Sequence, residues 1–446
     1  MNKRQSRRDF CTGAVTAGAA AFMAMNSTAK ENETESTYSV PDQLPRKLAV
    51  CSSQWAWFTL SGPNEPYHDL EEVMIGLRER NYNAIRIDTA LNWCFQKDGS
   101  PRGDVAVRPT VPGYSHRFKC VNHQGGNSVD VLNRLFQFMK LAKEHDIYVI
   151  LSDWEYMHTT WFVESEALRN EIMGVPTPER LIHLARHMDR LVTMLKEQDL
   201  AGNIAWIEPA NEADIAGLAG RDNLRWHTDA VAFLRDRHPD ILVSASLAMI
   251  NHIGTTDNSQ VYDHHLYVGK AVYGNFYETV RKNTDDPWQN ELLKKLLEPN
   301  LTAYSVFEEN FPFDDTGWIT NFWGLYNVNI DQFDRWLAGN YQRDRATLMQ
   351  NAADYYAKHA REAKRRALPM VVTEGGFFYS PLYSCFEESE AGLEYFDYLT
   401  DLAIENDVWG FAFSTYNGPE MPVWWARQKW VTQTNHRFVN GVVKGN

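Results

Sequence analysis

Residues 204–212 read IAWIEPANE, a short apolar run that ends in two glutamates and an asparagine. Such an apolar run has the length of a buried strand, and the polar side chains then lie where that strand ends. The same design recurs in NAIRID at residues 83–88 and in MVVTEGG at residues 370–376. The pattern predicts buried parallel strands that carry polar groups at their C-terminal ends.

The rest of the chain alternates strand-like with helix-like segments. Apolar residues recur at helical spacing over residues 129–145 and 346–366, among other segments. Apolar runs of strand length lie at residues 48–58, 83–88, 147–151, 204–207, 242–247, 261–267, 369–373 and 409–414. This alternation predicts a (β/α)8 TIM barrel. The alternative is an open doubly wound sheet, but no glycine-rich phosphate loop follows the first strand.

Two connections, which follow the second and sixth strands, are longer than a barrel needs. The first covers residues 92–127 and the second covers residues 268–342. Both leave the C-terminal ends of strands, where barrel proteins build their active sites. The second is rich in aromatic residues, which are Trp288, Tyr304, Phe311, Trp318, Phe322, Trp323, Tyr326 and Trp336. We expect this insertion to form a small core of its own and also to line a cleft with some of its tryptophans.

The composition is that of an acidic globular protein. The chain has 446 residues and a formal net charge of −14. That charge argues against nucleic acid as a partner, because nucleic-acid binding depends on lysines and arginines that neutralise phosphates. It also argues against an anionic membrane surface. The 15 tryptophans indicate either a large aromatic core or a cleft lined with rings, as pockets for neutral ligands often are.

The N-terminus is typical of an export signal. Residues 6–10 read SRRDF, a twin-arginine pattern, and a weakly apolar stretch follows at residues 14–25. That stretch is too short for a permanent membrane span. We therefore predict a twin-arginine signal peptide at residues 1–29, a flexible linker at 30–45 and one barrel domain at 46–446. The mature chain would be periplasmic or secreted, without membrane insertion; an ordinary basic N-terminus is the alternative.

The cysteines beyond the predicted signal are Cys51, Cys94, Cys120 and Cys385. Their spacings match no metal-binding pattern. Cys94 and Cys120 flank the first long loop and could form a disulfide in an oxidising compartment. Free buried thiols are the favoured interpretation, but the sequence does not decide between the two.

Glu212 and Glu374 end the fourth and seventh predicted strands. These strands lie across a barrel from each other, so the two carboxylates can face each other over its centre. A retaining glycosidase needs such a pair about 5–5.5 Å apart, one to attack the anomeric carbon and the other to give and later remove a proton. Arg86, at the inward tip of the second strand, could keep the nucleophile ionised. Asn211 could hydrogen-bond the sugar 2-hydroxyl.

In four motifs the chain resembles the clan-A glycoside hydrolases, and among them the family-5 cellulase-like barrels. The motifs are NAIR at residues 83–86, EPANE at 208–212, HLY at 265–267 and TEG at 373–375. The likeness runs through residues 48–417. It implies that Glu212 is the acid/base and Glu374 the nucleophile. It also implies that Tyr267 hydrogen-bonds Glu374 and that His265 helps to order the site.

The chain departs from the family pattern after the third and eighth strands. A histidine usually ends the third strand, whereas SDWE stands here at residues 152–155. We expect Asp153 and its neighbour Glu155 to contact sugar hydroxyls, with Trp154 between them. A tryptophan usually follows the eighth strand, and we expect Trp424, or the tryptophan next to it, to replace that residue. Both departures concern the substrate more than the mechanism.

Other interpretations of single residues are weaker. Glu208 has the same parity as Glu212 near a strand tip, but it is better explained as a structural carboxylate bonded to arginine or backbone. His264 and His265 lack a third ligand at fitting spacing, so we predict no metal and no other cofactor. The chain contains no Gly-x-Ser-x-Gly elbow of the kind that serine hydrolases use.

The sequence thus predicts a retaining O-glycosyl hydrolase that cleaves a β-linked neutral oligo- or polysaccharide through a covalent intermediate. The alternative from another class is a non-catalytic barrel that binds carbohydrate, and the intact pair of glutamates favours the enzyme. The sequence indicates neither the glycan, nor the choice between endo and exo cleavage, nor the oligomeric state.

Overall fold

The computed structural model describes residues 38–109, 125–156, 158–214, 218, 224–247, 255–267, 290–297, 328–376, 378, 380–381 and 383–444. The predicted signal peptide and the first part of the predicted linker lie outside these residues. So do Cys120 and three tryptophans of the second long loop, which are Trp288, Trp318 and Trp323.

Parallel strands dominate the described residues. In chain order the strands are β1 Leu48–Gln54, β2 Ala84–Asp88, β3 Asp104–Ala106, β4 Ser128–Asp130, β5 Tyr148–Ser152, β6 Ile204–Ile207, β7 Tyr262–Leu266, β8 Met370–Gly375 and β9 Gly410–Phe411. Seven of them form one sheet in the order β6-β5-β2-β1-β9-β8-β7, and every neighbouring pair is parallel. The short strands β3 and β4 pair separately and antiparallel.

The predicted fifth strand, residues 242–247, lies in the gap between β6 and β7. On one side Ile207 N donates to Leu242 O at 2.9 Å and Ser244 N donates to Ile207 O at 3.0 Å. On the other side Gln260 N donates to Val243 O at 2.9 Å. The segment forms an isolated bridge to β6 rather than a regular ladder. When this segment is counted with the seven regular strands, the curved parallel sheet and its helices fit the predicted (β/α)8 barrel.

Helices follow most of the strands. Their bounds are α1 Ala56–Thr59, α2 Leu70–Glu79, α3 Leu91–Cys94, α4 Val131–Glu144, α5 Glu166–Met173, α6 Thr177–Glu197, α7 Leu224–Arg237, α8 Glu291–Leu296, α9 Ile330–Arg366, α10 Glu390–Glu405, α11 Pro422–Ala426 and α12 Gln428–Asn440. A 3-10 turn covers Thr159–Phe162. None of the described helices is both long and apolar enough to span a membrane.

Helix α9 begins well before the predicted residue 346. The side chain of Asn329 accepts a hydrogen bond from Gln332 N at 3.1 Å and so caps the first turn. The end of the second long loop is therefore helical. It carries Trp336, whose ring centroid lies 5.5 Å from that of Phe333 and which packs partly buried against the main core.

Side chains inside the barrel change from apolar to polar along six of its strands. The apolar interior layer includes Val50, Ala84, Ile150, Trp206, Val261 and Val371. Two residues further along the chain, the interior positions are polar, and they are Ser52, Arg86, Ser152, Glu208, Asp263 and Thr373. Because strand residues alternate between the two faces, this layer lies directly above the apolar one, at the C-terminal end of the barrel. The candidate site is built on it.

The described cysteines are all free thiols. Cys51 and Cys94 are buried and Cys385 is exposed. The Cys94 thiol donates to Thr89 O at 3.3 Å. The possible pairing with Cys120 falls outside the described residues.

Candidate active site

Arg86 is the centre of the polar layer. Its Nη1 donates to Glu374 Oε1 at 2.8 Å, and its Nη2 donates to Glu208 Oε2 and to Asn211 Oδ1, each at 2.7 Å. The guanidinium lies 4.5 Å above the ring centroid of Trp154. The guanidinium carries five N–H donors in a rigid planar fork and holds partners in several directions at once, so Arg86 fixes the positions of both strand tips.

Both carboxylate oxygens of Glu208 bind structural partners. Its Oε1 accepts from Trp206 Nε1 at 2.7 Å, and its Oε2 accepts from Arg86. The side chain is fully buried. This arrangement is that of a structural carboxylate, the interpretation favoured from the sequence.

Glu374, the penultimate residue of β8, lies between two firm hydrogen-bond donors. Arg86 holds Oε1, and the hydroxyl of Tyr267 donates to Oε2 at 2.6 Å. The next two residues, Gly375 and Gly376, have φ values of 134° and 68°. A Cβ added to them would lie 2.4 Å from Leu266 O and 2.2 Å from Phe413 O, respectively. Glycine is required here because the strand turns tightly against its neighbours.

Glu212 follows β6 by a turn and adopts a left-handed backbone conformation with φ of 43°. Asn211 N donates to Asp153 O at 2.6 Å, which holds this turn against the end of β5. The Glu212 Oε1 accepts from His265 Nδ1 at 2.6 Å. A non-glycine residue in this conformation is strained, and such strain persists where surrounding bonds hold it.

The two predicted catalytic glutamates lie close together. An oxygen of Glu212, an oxygen of Glu374 and a ring nitrogen of His265 all lie within 4.8 Å of one another. His265 Nδ1 is 3.6 Å from Glu374 Oε2. One carboxylate therefore faces an arginine and a tyrosine, and the other faces a histidine.

The electrostatics of the two glutamates differ. Burial raises the pKa of Glu212, and the charges of Glu374 and Asp214 add to this, while the hydrogen bond from His265 opposes it. Burial works against a charged His265, but Glu374, Asp263 and Glu212 together raise the pKa of this imidazole well above its usual value. Four carboxyls thus face two cations. Arg86 forms ion pairs with Glu208, Asp263 and Glu374, and Glu212 is the one carboxyl of the four that lacks such a pair.

Two further residues of the site are not apparent from the sequence motifs. Asp263 Oδ1 accepts from Thr373 Oγ1 at 2.7 Å, and its Oδ2 lies 3.5 Å from His265 Nε2. Ser246 Oγ lies 3.2 Å from the same nitrogen and donates to Asn211 Oδ1 at 3.3 Å. The period of two along β7 could have identified Asp263, because it must share the inward face with His265. Ser246 lies in an irregular strand and gave no such signal.

The expectation for Asp153 is wrong in this structure. Its carboxylate is fully buried and accepts from Leu91 N and Glu155 N, each at 2.9 Å. Glu155 is also buried, its Oε2 accepts from Asn92 Nδ2 at 2.8 Å, and burial raises its pKa to about 8. Both acids satisfy loop groups that would otherwise be buried without partners. Trp154, in turn, lies beneath Arg86 rather than in an open cleft.

The expectation for Trp424 is also wrong. Its ring stacks on Tyr82 at 5.9 Å between centroids, and the Arg80 guanidinium covers it at 4.2 Å. These partners belong to the outer helical layer, where the ring packs against Gly76 of α2. After the last strand it is Thr415 that contacts the site, since its hydroxyl donates to Tyr267 OH at 3.3 Å.

The oxygen and nitrogen atoms that Glu212, His265 and Glu374 could offer to a metal ion are poorly suited to bind one. Each is already hydrogen-bonded, and the positive charge of Arg86 lies 2.8 Å from Glu374, where it would repel a second cation. His264 cannot join them, because consecutive strand residues point to opposite faces. Its ring lies outside the barrel, 3.6 Å from that of His359 between centroids.

No protein-family model matches this chain, and no curated protein matches its sequence. Solved structures do match its fold. A candidate glycoside hydrolase from Parabacteroides distasonis is 18% identical, with 90% of this chain and 97% of that chain covered and a TM-score of 0.65. A family-5 mannosidase from Rhizomucor miehei is 10% identical, with 92% and 97% covered and a TM-score of 0.47.

An endo-β-1,4-mannanase from Thermotoga petrophila is 12% identical, with 89% of this chain and 77% of that chain covered and a TM-score of 0.42. At these sequence identities a match shows only that two chains share a fold. The Parabacteroides structure, with its TM-score of 0.65, supports such a shared fold. This likeness of fold to a candidate glycoside hydrolase agrees with the resemblance predicted from the four motifs, and the cellulase-like part of that resemblance stays a prediction.

Proposed function

We propose that this protein is a retaining glycoside hydrolase that cleaves a β-linked neutral oligo- or polysaccharide. One observation carries the proposal: oxygens of Glu212 and Glu374 lie within 4.8 Å, one carboxyl against His265 and the other against Arg86. Retaining enzymes need a pair separated by about 5–5.5 Å, because no water has to fit between nucleophile and sugar in the first step.

In the first step the carboxylate of Glu374 attacks the anomeric carbon. The glycosidic bond breaks, and the proton of Glu212 moves to the departing oxygen. The products of this step are a glycosyl ester on Glu374, an ionised Glu212 and a free alcohol. In the second step Glu212 takes a proton from water, the hydroxide attacks the same carbon and Glu374 is released as a carboxylate.

Neighbouring groups assist each stage of this cycle. Tyr267 and Arg86 bind the two oxygens of Glu374 and leave its carboxylate oriented for attack. Asn211 has its Oδ1 bonded by Arg86, so its amide nitrogen is the group that would donate to the sugar 2-hydroxyl. That hydrogen bond would strengthen in the transition state.

A neutral substrate fits the charges of the site. Arg86 is paired with Glu208 and Glu374, and His265 lies among three carboxylates, so neither cation is available to a charged sugar. The net charge of −14 also disfavours a polyanionic glycan.

We expect the first-formed sugar to keep its anomeric configuration. The test is to screen aryl β-glycosides of glucose, mannose, galactose and other neutral sugars with purified protein. Proton NMR then follows the anomeric signals of the best substrate. The β-anomer should appear first and the α-anomer only as mutarotation proceeds.

Appearance of the α-anomer first would show inversion and overturn the proposed mechanism. If the protein binds oligosaccharides but hydrolyses none of the glycosides, the non-catalytic carbohydrate-binding function takes its place.

We also propose that the chain is exported by the twin-arginine route to the periplasm or beyond. Replacing Arg7 and Arg8 by lysine is expected to trap the precursor in the cytoplasm, because the pathway reads the arginine pair. Fractionation and N-terminal sequencing measure this. Unchanged export of the variant, or a mature protein that keeps residues 1–29, contradicts the proposal.

A further inference from the structure

Asp263 is a buried carboxylate to which the proposed reaction assigns no step. It lies on β7, two residues before His265 and on the same inward face. Its Oδ1 is held by Thr373 Oγ1 at 2.7 Å. Its Oδ2 lies 3.5 Å from His265 Nε2 and 3.9 Å from Arg86 Nη2. An isolated carboxylate at this depth would be costly, so its charge must be balanced by these two cations.

His265 has a different type of partner on each ring nitrogen. Nδ1 donates to Glu212 Oε1 at 2.6 Å and lies 3.6 Å from Glu374 Oε2. Nε2 faces Asp263 and the hydroxyl of Ser246. From helix α9 the hydroxyl of Tyr355 donates to the carbonyl of His265 at 3.0 Å and adds no charge. Nδ1 therefore faces two carboxyl groups whose charges change during the proposed reaction, whereas Nε2 faces one carboxylate whose charge stays the same.

The charges on the two carboxyl groups near Nδ1 change during the proposed reaction. In the free enzyme Glu374 is ionised and Glu212 holds a proton. In the glycosyl-enzyme Glu374 is an uncharged ester and Glu212 is ionised. Each stage thus leaves one negative charge near Nδ1, but it moves from one glutamate to the other. The charge of Asp263 stays in place throughout.

We propose that Asp263 is a positioning residue that acts through His265, as the fixed counterion that keeps this imidazole protonated through both half-reactions. The cation then stabilises Glu374 in the free enzyme and Glu212 in the glycosyl-enzyme. The kinetic consequence rests on the proposed retaining function, whereas the charge state of His265 does not. His265 and Arg86 offset the cost of burial and hold the pKa of Asp263 below its usual value, which agrees with a permanently ionised group.

The variant Asp263→Asn removes the charge while its Oδ1 can still accept from Thr373. The pKa of His265, measured from the imidazole signals by NMR, is expected to fall by at least about one unit. The basic limb of the bell-shaped profile of kcat/KM on an aryl glycoside is expected to move to higher pH, because Glu212 keeps its proton to higher pH when the cation beside it is lost. A merely structural defect would lower the rate without moving either limb.

Asp88→Asn is the matched control. Asp88 is equally buried at the end of β2, and its carboxylate accepts from Ala90 N at 2.9 Å and Trp154 N at 3.1 Å. This variant should leave the titration of His265 unchanged. A titration of the wild-type protein needs no variant, and it should show His265 still charged above its ordinary pKa of about 6.5.

The proposal is overturned if His265 of the wild-type protein loses its proton at or below the ordinary histidine pKa. It is also overturned if Asp263→Asn leaves the titration of His265 unchanged. The NMR measurement requires no turnover, so it separates the two ideas. If no glycoside is hydrolysed but His265 responds to Asp263→Asn, the enzymatic function fails and the counterion role stands. If hydrolysis proceeds with retention and His265 does not respond, the counterion role alone fails.

Discussion

Replacing Glu374 by alanine is expected to lower kcat at least about 10⁴-fold, because no covalent intermediate can form without the attacking carboxylate. The space that the side chain leaves lies beside Arg86 and Tyr267, which bind its two oxygens in the wild type. A small anion such as azide can occupy it. With an activated aryl glycoside, azide should attack from that face and give a glycosyl azide of inverted configuration.

Glu212→Ala should behave differently. Glycosides whose leaving group needs a proton are expected to react about 10²–10⁴-fold more slowly, the usual contribution of general acid catalysis. Dinitrophenyl glycosides, whose leaving group needs none, should still form the glycosyl-enzyme. The second step is then slow, because no base assists water. Azide should accelerate it and give a glycosyl azide of retained configuration.

The products of the two variants decide the assignment. Exchange of the two azide products would show that the roles of Glu212 and Glu374 are reversed, and full activity of either variant would remove that residue from the mechanism. Glu208→Gln is the matched control, because its carboxylate is held by Arg86 and Trp206. It should give neither azide product.

Arg86→Met is expected to destabilise the protein by about 3–5 kcal/mol, the usual cost of removing one partner of a buried ion pair. Methionine fills part of the space, but Glu208 and Glu374 then lie buried without their cation. In the folded variant Glu208 binds a proton more tightly than in the unfolded chain, because burial raises its pKa and Arg86 no longer opposes this. Folding then takes up protons, so the stability of the variant must fall as the pH rises.

Urea unfolding of wild type and Arg86→Met at about pH 5 and about pH 8 tests this sign. The deficit should be larger at the higher pH. Adding Glu208→Gln to the variant should recover part of it, since the two sites share one interaction.

Arg80→Met is the control for Arg86→Met. Arg80 is also buried, but it donates to the carbonyls of Gly76 and Trp424 rather than to a buried acid. Its loss should cost stability without a comparable dependence on pH. A deficit for Arg86→Met that does not change with pH would contradict the view that its main role is to balance carboxylates.

Much of the barrel was predictable because it follows from local periodicity. The run at 204–207 became β6 with the same bounds. A short apolar segment between polar residues has the length of a buried strand and is too short for a buried helix. The run at 48–58 was shortened, because its last residues form helix α1 instead of continuing β1. The predicted strand at 242–247 did not become regular. On the side that faces β7, some of its hydrogen bonds are made by side chains, such as that of Ser244 to Val261 O.

Trp424 and Asp153 show where the local sequence pattern no longer predicts the position of a side chain. Trp424 follows the last strand, as a cleft tryptophan would, but its ring packs between Arg80 and Tyr82. Asp153 directly follows β5, where a sugar-binding acid could lie, but the backbone amides of Leu91 in α3 and of Glu155 need its oxygens. In both cases a partner from another segment decided where the side chain points.

The sequence alone determined which residues stand at the tips of the barrel strands, because alternation along a strand and apolar runs of strand length are local properties. It could not determine what each of those residues does. Glu208 and Glu212 have the same parity in the same motif, but Glu208 meets Arg86 from 122 residues away and Glu212 meets His265 from 53 residues away. Only the curved sheet brings these partners together. The charge that each carboxyl faces, and hence which one keeps a proton, is therefore decided by the tertiary structure.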